Sequence, residues 1–291
     1  MLDGNTVRAF TEVPMNIDFD QPFSETCNAD VYIPSSPAIG GVLLLHGGGW
    51  FKGDKSDQRL LAERLRCEGF LVCAANYRLA PAHPFPQSRD DALAALQWLK
   101  DSSYEFDRDR LVIWGNAVGG NLAVEVALTS GYPAVSWSGI LDIKGFMEQS
   151  SAIAHEDYDH DFTHANLAVS DQHGRNDAYV RWAILQLIGN DMSRLAEITP
   201  IGRVTSRSGG ILMVNSLDEI IPADGALHMQ NSLMKSGVPS TVHLLAGSAH
   251  GLGYMHEVLA ISTDYAKRAW PLARIVRKFA DADASSLPLI L

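Results

Sequence analysis

Basic residues are in short supply. Lys and Arg total 23 against 34 Asp and Glu, a formal net charge of −11. That balance speaks against nucleic-acid or anionic-membrane partners and favours solubility. Cysteine is scarcer still: Cys27, Cys67 and Cys73 are an odd set with no metal-ligand spacing. They are expected to be free thiols in a reducing compartment, not a disulfide framework. The start, Met1-Leu-Asp-Gly-Asn, has neither the basic nor the apolar segment of a secretory signal. No apolar run approaches the roughly 18–20 residues needed to cross a bilayer, so a cytoplasmic protein with no membrane partner is expected. No repeat or low-complexity stretch stands out. What remains, 291 residues with 46% hydrophobic and 20% charged content, suits one globular domain over 1–291.

Short apolar runs alternate with amphipathic ones from residue 41 onward. Runs at 41–45, 70–75, 111–114, 134–141, 211–215 and 241–245 read as strands buried on both faces. Helices are expected over 56–67, 90–100, 122–128, 176–188, 223–235 and 259–279, with Pro271 as a kink or boundary of the last. Two earlier strands are expected near 7–18 and 30–33. This alternation predicts a mostly parallel sheet covered on both faces, with its ligand crevice at the carboxyl ends of the strands. Residues 142–200 are too long and irregular for a simple connection, and read as an inserted lid.

The glycine-rich loops carry the chemistry. The run 111–114 leads into Gly115-Asn-Ala117-Val-Gly119, the setting of a nucleophile elbow that lifts a serine above the sheet. Its centre is Ala117, which has no nucleophilic atom. His46-Gly-Gly-Gly-Trp50 places three glycines after a strand, where backbone N–H groups can approach a ligand closely. Gly48, Gly49 and Val118 are therefore the expected oxyanion donors. Downstream, Ser216-Leu-Asp218-Glu and Ser248-Ala-His250-Gly follow the last two strands. In this order, His250 is expected as the base and Asp218 as the acid that orients it, with Glu219 and Asp142 as alternatives. Arg78 and His83, in the proline-rich loop 76–86, read as structural groups beside the site. Trp50, Phe51, Tyr158, Phe162 and Trp182 are candidates for lining a substrate pocket, or equally for ordinary packing. His155 to His164 reads as a solvated lid surface, and no metal is expected.

Three motifs in order, 46–55, 77–86 and 115–123, make the chain resemble the hormone-sensitive-lipase superfamily, and within it small bacterial carboxylesterases and feruloyl-esterase-like proteins. The resemblance spans roughly 25–130 and 205–255. It implies an α/β-hydrolase fold and hydrolysis of small carboxylic esters through an acyl-enzyme, with no cofactor. Amide or lactone hydrolysis would use the same machinery. A homodimer through the last edge strand follows by analogy only. The chain departs from the pattern at Ala117 and at Val118, where alanine is usual. With every other element present, a deliberate serine-to-alanine exchange explains Ala117 better than natural decay into a ligand-binding pseudoenzyme, because a strained elbow is costly to keep with nothing to present. This chain is accordingly expected to be an inactive form.

Overall fold

The computed structural model describes residues 16–150 and 174–282, with 271–282 described by their backbone alone. Eight strands form one sheet in the order β1-β2-β4-β3-β5-β6-β7-β8. They are β1 (Ile17–Pro22), β2 (Asn28–Tyr32), β3 (Gly40–Leu45), β4 (Phe70–Ala75), β5 (Leu111–Asn116), β6 (Ala134–Trp137), β7 (Ile211–Ser216) and β8 (Ser240–Leu245). The ladders from β4 across to β8 are all parallel, while β1 and β2 pair antiparallel at one margin. At the other margin β8 pairs, among the described residues, with β7 alone.

Among the described residues the α-helices are α1 (Arg59–Cys67), α2 (Gln87–Asp101), α3 (Val118–Ser130), α4 (Ile143–Gln149), α5 (Asp177–Ile188), α6 (Leu195–Ile198), α7 (Asp224–Lys235) and α8 (Met255–Ala282). Strand periodicity sorts them onto two faces, because successive side chains of a strand point in opposite directions. Leu43, Leu45, Cys73, Ile113 and Met213 pack against α2, α3 and α7. Val42, Leu44, Val72, Trp114, Trp137 and Val214 pack against α1 and α8. Both sets are fully buried, each leucine or valine contributing about 1.5–3 kcal/mol. The long apolar runs of the sequence thus follow from a sheet with no wet face.

Three expectations change. The strand predicted over 134–141 stops at Trp137, because Ser138 adopts φ 54, in the left-handed region. The last helix runs on across Pro271, so of the two readings, kink or boundary, the boundary is ruled out. The first strand lies at Ile17–Pro22, while 7–15 fall outside the described residues. All three cysteines are free: Cys27 and Cys73 are buried and Cys67 is exposed. Burial pushes the Cys73 thiol up to about 12, so it is an inert core group. No helix among the described residues is long and apolar enough to cross a membrane.

A third apolar cluster sits above the carboxyl ends of the strands. It joins Ile143, Phe146 and Met147 of α4, Tyr179, Val180, Ile184 and Leu187 of α5, and Ile198 of α6 to Trp50, Val118, Ile140, Ile220 and Ile221. The described parts of 142–200 therefore pack over the loops that follow the strands.

Candidate active site

Ala117 lies between β5 and α3 with φ 52 and ψ −125. A non-glycine residue in this region is strained by about 1–3 kcal/mol. The surroundings hold it there. Its N–H donates to Trp137 O at 2.8 Å, and its carbonyl accepts from Asn121 N at 3.1 Å. The flanking glycines are required by contact: a Cβ on Gly119 would lie 2.2 Å from Leu45 O, and one on Gly115 would lie 2.2 Å from Gly119 O. Because Gly119 lets α3 press against the end of β3, the elbow and the glycine loop become neighbours. The amino terminus of α3, with its partial positive charge, opens at the same place.

The loop after β3 is built around Gly48 at φ 116 and Gly49 at φ 63. Gly48 O accepts from Phe51 N and Lys52 N, closing a tight turn. A methyl group on Gly48 would fall 2.0 Å from Lys52 O, so the turn admits no side chain there. Beneath it, His46 is buried and stacked on Tyr77, with ring centroids 4.2 Å apart and planes 10° apart. Burial lowers the His46 pKa, and the neutral ring donates from Nδ1 to Gly47 O at 2.7 Å. Tyr77 Oη donates to His46 O at 2.8 Å, and Ala80 N to Trp50 O at 2.9 Å. The loop 76–86 thus braces the glycine turn. Arg78 is held by Asp91 through its N–H, Nε and Nη2, and His83 is exposed.

The far end of the turn is anchored electrostatically. Lys55 Nζ is buried between Asp20 at 2.9 Å and Asp30 at 2.8 Å, which ties the turn to the β1–β2 margin. Asp54 accepts from Ser56 N and Asn76 Nδ2, both at 2.8 Å. Desolvation opposes the charged form of Asp54, but these bonds and the Lys55 charge outweigh it and hold the carboxyl at about 2.

His250 Nδ1 donates to Glu219 Oε2 at 2.5 Å, and both side chains are buried. The carboxylate that meets His250 is therefore Glu219, not Asp218. The cause is the turn after β7. Leu217 N and Asp218 N continue the ladder onto Leu245 O and Gly247 O, which leaves residues 217 and 218 on the outside, exposed to solvent. The chain then folds back, and Glu219 Oε1 accepts from Asn215 Nδ2 and Ser216 N, both at 2.9 Å. Asp142, the other alternative, caps α4 through Gly145 N and pairs with His228. The His250 loop is fixed by Ser216 Oγ donating to Ala249 O at 2.6 Å and by Gly251 N donating to Ser138 Oγ at 2.8 Å.

These groups converge on a cavity of about 30 Å³ lined by Gly49, Trp50, Ala117, Val118, His250 and apolar residues of α5. Of the expected lining residues, Trp50 is there. Phe51 stands back, edge-on to Trp182 at 4.7 Å and to Tyr179 at 6.2 Å. Tyr158 and Phe162 lie outside the described residues, as do His155 to His164. Tyr179, Val180 and Ala183 of α5, with Ile140, Ile220 and Ile221, complete the wall. They escaped notice in the sequence because apolar residues at helical spacing look the same facing a core or a pocket.

A family model described as alpha/beta hydrolase fold matches residues 42–253. Ethyl acetate hydrolase of Pseudomonas putida is 41% identical over 96 residues, 31% of this chain and 30% of that protein. Carboxylesterase NlhH of Mycobacterium tuberculosis is 37% identical over 90 residues, 30% of this chain and 28% of that protein. The chain spans less than half the length of the curated relatives it matches. Among solved structures, a truncated carbohydrate esterase from gut microbiota superposes with a TM-score of 0.70 at 18% identity, over 88% of this chain and 96% of the other. An esterase of Pyrobaculum calidifontis gives 0.67 at 21% identity, over 92% and 86%.

Proposed function

Because the chain belongs to the alpha/beta hydrolase fold family, we propose that it carries the machinery of a carboxylic ester hydrolase with alanine in place of the nucleophile. The observation that carries this reading is that His250, paired through Nδ1 with the buried Glu219, lines the same cavity as Ala117. With Nδ1 committed to Glu219, proton transfer in the cavity falls to Nε2. A serine hydroxyl at 117 would give its proton to that nitrogen as its oxygen attacks an ester carbonyl. The oxyanion would be stabilised by N–H groups of Gly49 and Val118, with Gly48 shaping the turn, in an apolar pocket where such bonds act strongly. His250 would return the proton to the leaving alcohol, and water would then release the acid.

The cluster above the strands serves as the lid, and its described wall of Ile140, Val180, Ala183, Ile220 and Ile221 favours small apolar acyl groups. Chains named as hydrolases of ethyl acetate and other carboxylic esters support the ester class. A single exchange of serine for alanine explains the intact partners better than gradual decay, and the chain as it stands cannot form an acyl-enzyme. The test is A117S against a panel of p-nitrophenyl esters of increasing acyl length. Turnover that is highest for acetate or butyrate supports the reading. A folded A117S protein that hydrolyses none of the panel above background refutes it.

A further inference from the structure

Loss of the nucleophile does not remove the base. His250 is still oriented by Glu219 at 2.5 Å, Glu219 is still held by Asn215 and Ser216, and the glycine turn keeps its shape. An alanine methyl in place of a hydroxymethyl also widens the space beside His250. The cavity of about 30 Å³ exceeds the roughly 10–15 Å³ that one water needs. His250 lines that space and is the side chain there that can take a proton from the water, which leaves the N–H groups at Gly49 and Val118 for the carbonyl oxygen.

We infer that the chain as it stands is a slow hydrolase of activated esters, in which His250 and Glu219 direct a water molecule, not a serine, onto the acyl carbon. The inference rests on the proposed role of His250 as base but needs no acyl-enzyme. The water oxygen bonds to the carbonyl carbon while its proton passes to His250 Nε2, and the carbonyl oxygen becomes an oxyanion at the Gly49 and Val118 N–H groups. Collapse breaks the bond from carbon to the alcohol oxygen. The imidazolium proton goes to that oxygen, so ester and water yield acid and alcohol with the protein unchanged. Poor leaving groups are excluded, since a neutral water is a weaker nucleophile than an oriented serine. Aryl and enol esters are the fitting class.

The unaltered protein is assayed with p-nitrophenyl acetate, beside H250A, E219Q and A117S, each checked for folding by circular dichroism. The expected result is saturable turnover that starts without a burst, on the order of 10²–10⁴-fold above the uncatalysed rate, the usual contribution of a positioned general base. It should be indifferent to a fluorophosphonate, which needs a nucleophilic oxygen, and should fall at least 10-fold in both H250A and E219Q. Equal rates in the unaltered protein and buffer would overturn the inference. So would undiminished turnover in H250A, or loss of activity on fluorophosphonate treatment. An active A117S beside an inert parent rejects the water route alone. An inert A117S beside a His250-dependent parent rejects the serine-hydrolase reading alone.

Discussion

Glu219→Gln in the A117S protein should silence it for a reason visible in the bonding of the carboxylate. Oε1 accepts two N–H donors, from Asn215 Nδ2 and Ser216 N. In the amide variant the carbonyl oxygen must stay on that side, because an NH2 group there would face two donors. The NH2 group is then turned toward His250 Nδ1, now 2.5 Å from Oε2. Facing a donor, Nδ1 becomes an acceptor, and the single proton of the neutral ring moves to Nε2. A ring protonated at Nε2 cannot take the serine proton. The corresponding acid-to-amide change in a serine protease lowers kcat about 10⁴-fold through the same wrong tautomer, a barrier increase of about 5.5 kcal/mol at 1.36 kcal/mol per decade. Asp218→Asn is the control. Its side chain is exposed and outside the dyad, so its effect should stay within about 0.5 kcal/mol, roughly a factor of two. The assay is kcat for p-nitrophenyl acetate in A117S, A117S/E219Q and A117S/D218N. A near-normal E219Q beside a collapsed D218N would refute the reasoning and return the acid role to Asp218.

Two further outcomes follow from the glycine turn. Gly48→Ala in A117S puts a methyl group 2.0 Å from Lys52 O at a φ of 116. It should therefore lower kcat by about 10²–10³, the usual cost of a lost oxyanion donor, and reduce thermal stability; unchanged kcat would show that the turn does not position the donors. Asp54 governs part of the acid limb. Its folded pKa of about 2 lies below the unfolded value of about 3.9, so its contribution is present above pH 4 and is lost as pH falls toward 2. Urea unfolding at stepped pH should show D54N losing less stability than the parent between pH 4 and 2, whereas parallel acid limbs would contradict the assignment.

Much of this architecture could be read from the chain itself, and the exceptions have local causes. The runs at 41–45, 70–75 and 211–215 identify strands because both faces of the sheet are covered, so nothing polar interrupts them. The run at 134–141 misleads for the same reason: Gly139-Ile140-Leu141 is as apolar as a strand. Nothing in it announces that Ser138 turns the chain so that its Oγ can accept Gly251 N–H. Of the candidate site residues, Gly49, Trp50, Val118 and His250 do line one cavity with Ala117, and they drew notice because glycines in series and a histidine after a late strand have few structural uses. The choice between Asp218 and Glu219 was not legible. Two adjacent carboxylates in one turn differ only in which faces inward, and that is decided by ladder bonds to Leu245 and Gly247 together with donors at Asn215 and Ser216. The α5 wall was hidden as well, because Tyr179, Val180 and Ala183 carry no signal beyond hydrophobicity.

The central claim is that one missing oxygen separates this chain from a working acyl-transfer site. It is tested most directly by treating the parent and A117S with a fluorophosphonate and locating the adduct by peptide mass spectrometry. Stoichiometric phosphonylation of residue 117 is expected in A117S, blocked by H250A, with no adduct on the parent. A folded A117S protein that stays unlabelled, or is labelled at another residue, would contradict it.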